Sequence, residues 1–352
     1  MILLVGPKPP PFHGQAICFQ ALEDYKESNW IFISTFHCNN QITNTLKVCI
    51  LLTKFILTND IKTVYLSGSR SLLGLLKELP VYLLKGFRNY KVIFHLHGNE
   101  FYYPNNTTKI TALIVKKFTD HFIYLADFLE PPILRGKRKS IVPNFFHPQF
   151  GQNNNISKPK KIVVSFLSNI IYSKGILDFL DVAEILLEKK IDLEFQIAGK
   201  FMSDSYMSKT EIEALFKKRY NKLKTKNKEG IMYYGALDRS ETAEFFSRSQ
   251  ILLFPSFYIS EAYPLALIEA KICGNAIITY DHNHLSKIIK HDLNGIVVNT
   301  GDINALAKAC NDLISNPKRI KSFREFNINE AKNEYEVSNY VKRIKMVLKK
   351  YN

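Results

Sequence analysis

The sequence is poor in cysteine and has no long apolar run. Its five cysteines are scattered, odd in number and free of CxxC spacing (Cys18, Cys38, Cys49, Cys273 and Cys310). This pattern predicts reduced thiols in a cytosolic protein and argues against a cysteine zinc site. No stretch of about eighteen apolar residues occurs, so we expect no membrane-spanning helix. The first residues, MILLVGPKPPP, lack a basic segment and run into prolines, which favours a strand and loop over a signal peptide.

Acidic residues are scarce relative to basic ones. The chain has 32 Asp and Glu against 48 Lys and Arg, a formal net charge of +16 over 352 residues. Such an excess predicts an anionic partner, which could be nucleic acid, an anionic membrane surface or a polyanionic substrate. Because no helix-turn-helix, RNA-binding or zinc-finger signature is present, we do not expect nucleic acid.

Residues 251–278, ILLFPSFYISEAYPLALIEAKICGNAII, form the most informative stretch. Four apolar residues, Ile251–Phe254, predict a buried strand. A polar loop follows, Pro264 suits the start of a helix, and Gly274 suits its C-terminal cap. A second apolar strand follows at 276–280. This β-loop-α-β unit is typical of a parallel sheet.

Two carboxylates lie within this unit. Glu261 falls in the loop before the helix, where it could simply be the anion that caps the helix N-terminus. Glu269 lies on the helix between apolar neighbours and could be an ordinary solvent-facing residue. Taken alone, the residue types favour these two structural explanations.

The whole string PSFYISEAYPLALIEAKICGNAII resembles the signature of family-4 retaining glycosyltransferases of the GT-B fold. In that family two glutamates eight residues apart flank the sugar and the nucleoside of a bound sugar nucleotide. The resemblance implies that Glu261 contacts sugar hydroxyls and that Glu269 contacts the ribose. It adds the residues between them to the donor-binding set: Ala262, Tyr263, Pro264 and Leu265.

The first half resembles the family at isolated points. The loop after the first strand contains Gly14, which matches one glycine of a pair that lies under the donor diphosphate in the family. The strand 91–97 ends in His97-Gly98, and His97 matches a histidine that contacts the donor sugar. His95 and His97 occupy alternating positions in this strand, and we expect only one of them to face the ligand crevice.

In the second half, the loop after the strand 162–167 contains Asn169 and Lys174. The resemblance implies that Lys174 binds the donor diphosphate. An arginine stands in the family where this chain has Asn169, which can donate a hydrogen bond to phosphate but adds no charge. Catalytic roles are therefore expected for Glu261, His97 and Lys174.

The resemblance implies an α/β protein with two Rossmann-like domains that face each other across a cleft. We expect an acceptor-binding domain at 1–150, a nucleotide-sugar-binding domain at 151–330, and a C-terminal helix at 331–352 that crosses back to the first domain. The polar, lysine-ended segment 149–161 is the expected linker. The charged stretch 203–228 is expected to be a long helix and an exposed insertion. The segment 81–91 could contact anionic lipid or pack its apolar side chains on the core.

The expected reaction is retaining transfer of a hexosyl unit from a nucleoside diphosphate sugar, with UDP favoured over GDP. The expected acceptor is a glycan or a lipid-linked oligosaccharide in surface polysaccharide biosynthesis. No DxD motif ends a strand, so we expect no metal cofactor. We expect a cytoplasmic protein, peripheral at the inner face of the cell membrane. Two alternatives remain open: a sugar-nucleotide epimerase on the same fold, and a non-catalytic partner subunit.

Overall fold

A computed structural model describes residues 1–10, 14–152, 161–189, 191–227 and 230–351. The chain forms two compact units: unit 1 comprises Met1–Phe145 with Val337–Asn352, and unit 2 comprises Phe146–Glu336. These limits differ by five or six residues from the expected ones at 150 and 330, and the roles given to the domains stay predictions. Most of the expected linker, residues 153–160, lies outside the described residues.

Unit 1 is a six-stranded parallel sheet with helices between its strands. Its elements are β1 (Ile2–Gly6), α1 (Gly14–Asp24), β2 (Trp30–Ser34), α2 (Gln41–Thr58), β3 (Thr63–Ser67), α3 (Leu72–Leu84), β4 (Lys91–Leu96), α4 (Asn106–Phe118), β5 (His121–Tyr124) and β6 (Arg138–Ile141). The strand order is β2-β1-β3-β4-β5-β6. The central strands are buried, which explains their almost continuous apolar runs.

Unit 2 repeats this architecture with a second six-stranded sheet. Its elements are α5 (Gln149–Gln152), β7 (Ile162–Leu167), α6 (Ile176–Glu188), β8 (Leu193–Ala198), α7 (Lys209–Lys226), β9 (Ile231–Tyr233), α8 (Arg239–Arg248), β10 (Ile251–Phe254), α9 (Leu265–Ile272), β11 (Ala276–Asp281), α10 (Leu285–Ile288), β12 (Gly295–Asn299), α11 (Ile303–Ile314) and α12 (Pro317–Glu334). The order is β12-β11-β10-β7-β8-β9. The predicted strand, helix and strand of 251–280 are confirmed as β10, α9 and β11, with Gly274 in the left-handed conformation after the helix.

The last helix, α13 (Val337–Lys349), belongs to unit 1. It buries Tyr340, Ile344 and Leu348 in one apolar cluster with Ile2 and Leu4 of β1. The expected helix at 331–352 is thus shorter at its start, because residues 331–334 finish α12. None of the described helices has the length and apolar character needed to cross a bilayer.

The helix expected within the charged stretch 203–228 is confirmed as α7, but the prediction that it is an exposed insertion is wrong. Helix α7 buries Ile212, Phe216 and Leu223 in the main apolar cluster of unit 2. Its polar face is tied to α6 by ion pairs, such as Arg219 with Asp181 at 2.5 Å. Half of the residues of the helix are charged, so the composition alone did not indicate the narrow apolar stripe that packs on the core.

Each sheet has one point where the strand order reverses. In unit 1 this point lies between β1 and β3, and in unit 2 it lies between β7 and β10. At such a point the loops that follow the two strands diverge and leave a crevice at the carboxyl ends of the strands. Ligand sites in open α/β sheets form at such crevices, so the loops that follow these strands are the expected positions of a ligand site.

Candidate active site

The reversal point of unit 2 brings together the two loops that hold its most informative predicted residues. Lys174 lies in the loop after β7, and Glu261 lies in the loop after β10. β7 and β10 pair side by side in parallel, although 83 residues separate the end of β7 from the start of β10. The fold therefore places both side chains at the carboxyl edge of the sheet.

The backbones of these two loops are locked to each other. Gly175 has φ +75, and a Cβ at this position would collide with the carbonyl oxygen of Pro255. The N–H of Phe257 donates a hydrogen bond of 2.8 Å to the carbonyl oxygen of Ser173. A glycine is thus required directly after Lys174, both for the backbone conformation and for the close approach of the loops.

Lys174 and Glu261 form an ion pair that is largely shielded from water. The ammonium binds Oε2 of Glu261, and only 12% and 8% of the two side chains are exposed. The Ser256 hydroxyl donates to the same oxygen at 2.9 Å, and the ammonium lies 4.8 Å from the ring centroid of Tyr258. No side chain caps the N-terminus of α9, where Pro264 is the N-cap residue. The capping explanation for Glu261 is therefore wrong.

Glu269 lies on α9, eight residues after Glu261 in the chain. Its side chain is partly buried, and burial raises the pKa of its carboxyl to about 7, with the nearby Arg239 opposing this shift. An ordinary solvent-facing glutamate would keep a pKa near 4.3. Glu269 is therefore not a fully solvated surface residue, because part of its side chain is withdrawn from water.

The other predicted donor-binding residues of unit 2 lie along the same two loops. Asn169 is exposed in the loop after β7, and Ala262 is buried next to Glu261. The hydroxyls of Tyr263 and Tyr335 lie 2.6 Å apart and tie the loop to the end of α12. Pro264 and Leu265 form the start of α9. Residues 262–265 thus connect Glu261 to the helix that carries Glu269.

Sequence reasoning missed a third loop at this edge, the one after β11. Asn283, with φ 51, donates from Nδ2 to the carbonyl oxygens of Tyr258 and Ile259 at 3.1 and 3.0 Å. Burial lowers the pKa of His282, while the charge of Glu261 opposes this shift, so the two side chains sense each other. The four polar residues Asp281–His284, at the end of an apolar strand, were the sequence signal that could have indicated this loop.

Gly14 and His97 belong to unit 1. Gly14 opens α1 at the reversal point of that sheet, where Gln15 Nε2 donates to the carbonyl oxygens of Ser67 and Gly68 at 2.9 and 3.2 Å. His97 directly follows β4. The structure thus divides the predicted site residues into two sets, one at the carboxyl edge of each sheet.

The prediction that His95 and His97 face different sides is wrong. Their ring centroids lie 3.9 Å apart, because residues two positions apart in a strand point to the same face. His95 is fully buried, its Nδ1 lies 2.7 Å from the Tyr65 hydroxyl, and burial lowers its pKa to about 3. His95 therefore supports the ring of His97 as a neutral side chain.

Comparison with known proteins agrees with this geometry. Residues 149–330, about half of the chain, match the family described as glycosyl transferases group 1. The chain belongs to this family, and its class is that of a glycosyltransferase enzyme. The resemblance to GT-B glycosyltransferases stated from the sequence is confirmed.

Two curated relatives match part of the chain at 27% identity. One is an uncharacterised protein of the cps region of Klebsiella pneumoniae, which covers 54% of this chain and 48% of its own length. The other is the N,N'-diacetylbacillosaminyl-diphospho-undecaprenol alpha-1,3-N-acetylgalactosaminyltransferase of Campylobacter jejuni, with 48% and 39% covered. The matched part thus spans less than half the length of either relative.

Solved structures resemble the chain over almost its full length. A glycosyltransferase from Rickettsia africae superposes with a TM-score of 0.76 at 15% identity, covering 99% of this chain and 98% of its own. Anabaena HepE, solved in complex with UDP and glucose, superposes with a TM-score of 0.73 at 13% identity, covering 99% of both chains. At these identities the likeness shows the fold, and it confirms the predicted α/β class with two Rossmann-like sheets.

Proposed function

We propose that this protein transfers a hexosyl unit from a nucleoside diphosphate sugar to a hydroxyl of a glycan or lipid-linked oligosaccharide, with retention at the anomeric carbon. The observation that carries the proposal is the shielded pair of Lys174 and Glu261 at the reversal point of the unit 2 sheet. The ammonium can bind the diphosphate of a sugar nucleotide, and the carboxylate at the same sheet edge can accept hydrogen bonds from the hydroxyls of its sugar.

The diphosphate is the leaving group, and its developing negative charge has to be stabilised. Lys174 supplies the positive charge of the loop after β7, and the free N–H groups at the start of α6, next to Gly175, supply partial positive charge. Gly14, at the start of α1, has the same helix-terminal geometry in unit 1. Asn169 adds hydrogen bonding without charge.

Three residues are assigned to the sugar and the nucleoside. Glu261 accepts hydrogen bonds from hexose hydroxyls, and His97 contacts the sugar. Glu269 accepts hydrogen bonds from the two ribose hydroxyls, for which its partly buried position on α9 is suited. Ala262, Tyr263, Pro264 and Leu265 shape the path between the two carboxylates.

The proposed step breaks the bond between the anomeric carbon and the diphosphate oxygen. The acceptor oxygen forms its bond to the same face of that carbon, and its proton passes to the leaving phosphate oxygen. The products are a glycoside of unchanged anomeric configuration and a nucleoside diphosphate. We propose that this scheme uses no metal ion, because Lys174 and the helix N-terminus provide the positive charge.

The acceptor and the setting rest on the relatives. The Campylobacter jejuni relative is named for an undecaprenol-linked acceptor, and the Klebsiella relative for a cps region. These names support a role in surface polysaccharide biosynthesis. The HepE complexes with UDP and UDP-glucose support UDP over GDP as the donor base. We place the protein in the cytoplasm, at the inner face of the membrane, where its excess of +16 favours anionic lipid.

The test begins with a panel of UDP- and GDP-sugars, scored by protection against thermal unfolding. The protecting sugar nucleotide is then incubated with a lipid-linked oligosaccharide extract, and NMR determines the anomeric configuration of the product. Retained configuration is expected. Conversion of the donor without any acceptor would instead identify an epimerase, and protection by none of the panel would identify a non-catalytic homologue.

A matched pair of variants ties the activity to the site. Lys174→Ala is expected to lower transfer about 100-fold or more, since it removes the charge at the leaving group. Lys218→Ala, on the exposed face of α7, removes the same charge away from the crevice and is expected to leave transfer unchanged. Equal losses in both variants would mean that net charge, and not the site, accounts for the activity.

A further inference from the structure

The amino edge of the unit 1 sheet contains a basic cavity that the proposed transfer reaction does not use. It lies where β4, β5 and β6 begin, at the opposite edge from His97, which follows the end of β4. The cavity has a volume of about 380 Å³. Its charged lining consists of Lys85, Lys91, Lys117, Asp120, Lys137 and Arg138. Five cations thus surround one carboxylate.

The single carboxylate does not neutralise this cluster. Asp120 binds the Lys85 ammonium at 2.6 Å and lies 3.9 Å from the Lys91 ammonium. The Lys137 ammonium donates to the carbonyl oxygen of Thr119 at 3.1 Å. The side chains of Lys117 and Arg138 are exposed at the mouth. Lys117, Lys137 and Arg138 therefore place three further positive charges on one concave surface, which Asp120 does not pair.

An adjoining cavity of about 410 Å³ extends the positive region toward the C-terminal segment. It shares Arg138 and Tyr351 with the first cavity and adds Lys350 and His121. His121 Nδ1 lies 2.9 Å from the Tyr351 hydroxyl. Burial, with Lys350 and Arg138 contributing, lowers the pKa of His121 to about 4. The histidine is thus neutral at physiological pH, chiefly because it is withdrawn from water.

We propose that this basic cavity binds a phosphate-bearing ligand at a site separate from the donor site. Lysine and arginine side chains that converge on a concave surface bind phosphate oxygens through charge-assisted hydrogen bonds. Tyr351 also lines both cavities. The inference does not depend on the transferase activity, because unit 1 alone supplies the cavity.

Two sources of phosphate fit this chemistry: a soluble phosphate compound and the headgroup of an anionic lipid. Exposed apolar side chains close to Lys85 in the chain make the lipid source testable. Leu83 and Phe87 lie two residues before and two residues after Lys85 and are 59% and 87% exposed. The Arg88 guanidinium donates to the carbonyl oxygen of Leu57, which is itself 48% exposed. These side chains would contact the membrane beneath a bound headgroup.

The test uses the full chain and two charge-matched double variants. Lys117→Gln/Arg138→Gln changes the cavity, and Lys209→Gln/Lys218→Gln changes exposed positions of α7. Each removes two positive charges, and both retain Lys174, so binding at the donor site is the same in both. Calorimetry with inorganic pyrophosphate probes the soluble source. Flotation with phosphatidylglycerol vesicles, against phosphatidylcholine vesicles, probes the lipid source.

The cavity variant is expected to lose at least 10-fold in affinity for one probe, while the control variant keeps it. Loss with pyrophosphate assigns a soluble ligand, and loss on phosphatidylglycerol vesicles assigns a lipid headgroup. Lys117→Glu alone, at the exposed end of α4, should reproduce the loss without a change in β6. The proposal is overturned if neither probe binds the native chain, or if the two double variants bind equally.

Discussion

Lys174 and Glu261, 87 residues apart in the chain, form one shielded ion pair at the carboxyl edge of the unit 2 sheet. The pair joins the loops that follow two neighbouring strands, and Ser256 adds a hydrogen bond of 2.9 Å to the same carboxylate oxygen. The ammonium of Lys174 and the carboxylate of Glu261 therefore neutralise each other. A donor diphosphate would have to compete with Glu261 for the ammonium of Lys174.

This competition gives Glu261→Gln an unusual expected phenotype. Without the carboxylate, Lys174 is released for phosphate, so the affinity for UDP should stay equal or rise. Transfer should fall about 100-fold, because the sugar loses the group that orients its hydroxyls. Titration calorimetry with UDP and a transfer assay measure the two quantities separately. A parallel loss of UDP affinity and turnover would contradict the assignment of Glu261 to the sugar.

The pair also has an expected effect on stability. Lys174→Met leaves Glu261 shielded without its counter-charge and should lower the free energy of unfolding of unit 2 by ~1–3 kcal/mol. The double variant Lys174→Met/Glu261→Gln should recover most of this loss and remain inactive. Urea unfolding of the two variants and the native chain measures the coupling. Additive losses in the double variant would show that the two side chains do not stabilise each other.

Glu269 is expected to make donor binding depend on pH. Its pKa of about 7 means that the carboxylate, the better acceptor for ribose hydroxyls, forms as pH rises through neutrality. Affinity for a UDP-sugar should therefore increase between pH 6 and pH 8 in the native chain and stay flat in Glu269→Gln. A UDP-sugar is the right probe because it carries no terminal phosphate. The same pH dependence in both proteins would exclude Glu269 as the cause.

Glu78 in α3 provides a stability prediction that is independent of function. It accepts from the Ser69 N–H at 2.8 Å and from the Tyr82 hydroxyl at 3.2 Å. Burial raises its pKa to about 7, above the unfolded value of about 4.3. Its protonated form therefore stabilises the fold at low pH, and this contribution is lost as pH rises through 7.

The variant Glu78→Gln keeps the acceptor and removes the ionisation. Relative to the native chain, it should gain up to about 3 kcal/mol in unfolding free energy between pH 4 and pH 8. Urea unfolding of both proteins at the two pH values gives the difference. If the native chain and the variant change in parallel with pH, Glu78 is ionised without cost and the burial argument is wrong.

Transfer is expected to survive chelation. Among the described residues, no group of three or more His, Cys, Asp or Glu side chains could hold a metal ion. Activity after treatment with EDTA should equal the untreated activity, because the charge at the leaving group is met by Lys174. Activity that disappears with EDTA and returns with added Mg²⁺ or Mn²⁺ would contradict the metal-free scheme.

The sequence predicted the local elements of the site well, because their signals are local. The apolar run of β10, the proline before α9 and Gly274 after it each act through their own backbone preferences. The contact between Lys174 and Glu261 could not be predicted from composition or spacing. It depends on β10 lying beside β7, a pairing between strands far apart in the chain.

Two features could not be predicted from the sequence, for the same physical reason. In the segment 81–91, Val81, Tyr82 and Tyr90 are buried, whereas Leu83 and Phe87 are exposed. The segment therefore packs on the core through part of its side chains, and its contact with anionic lipid stays a prediction. Which side of a helix meets the core depends on tertiary packing, which residue types alone do not determine. The loop after β11 was missed for the same reason, since tertiary packing places His282 close enough to Glu261 for the two side chains to interact.

The most direct test of the central claim, that the unit 2 reversal point binds the sugar nucleotide, is titration of the full chain with UDP. We expect binding that weakens by about 1–3 kcal/mol in Glu269→Ala, as the ribose loses its acceptor, and that weakens in Lys174→Ala as well. Lys218→Ala should bind as the native chain does. UDP affinity that is unchanged in both site variants would contradict the account.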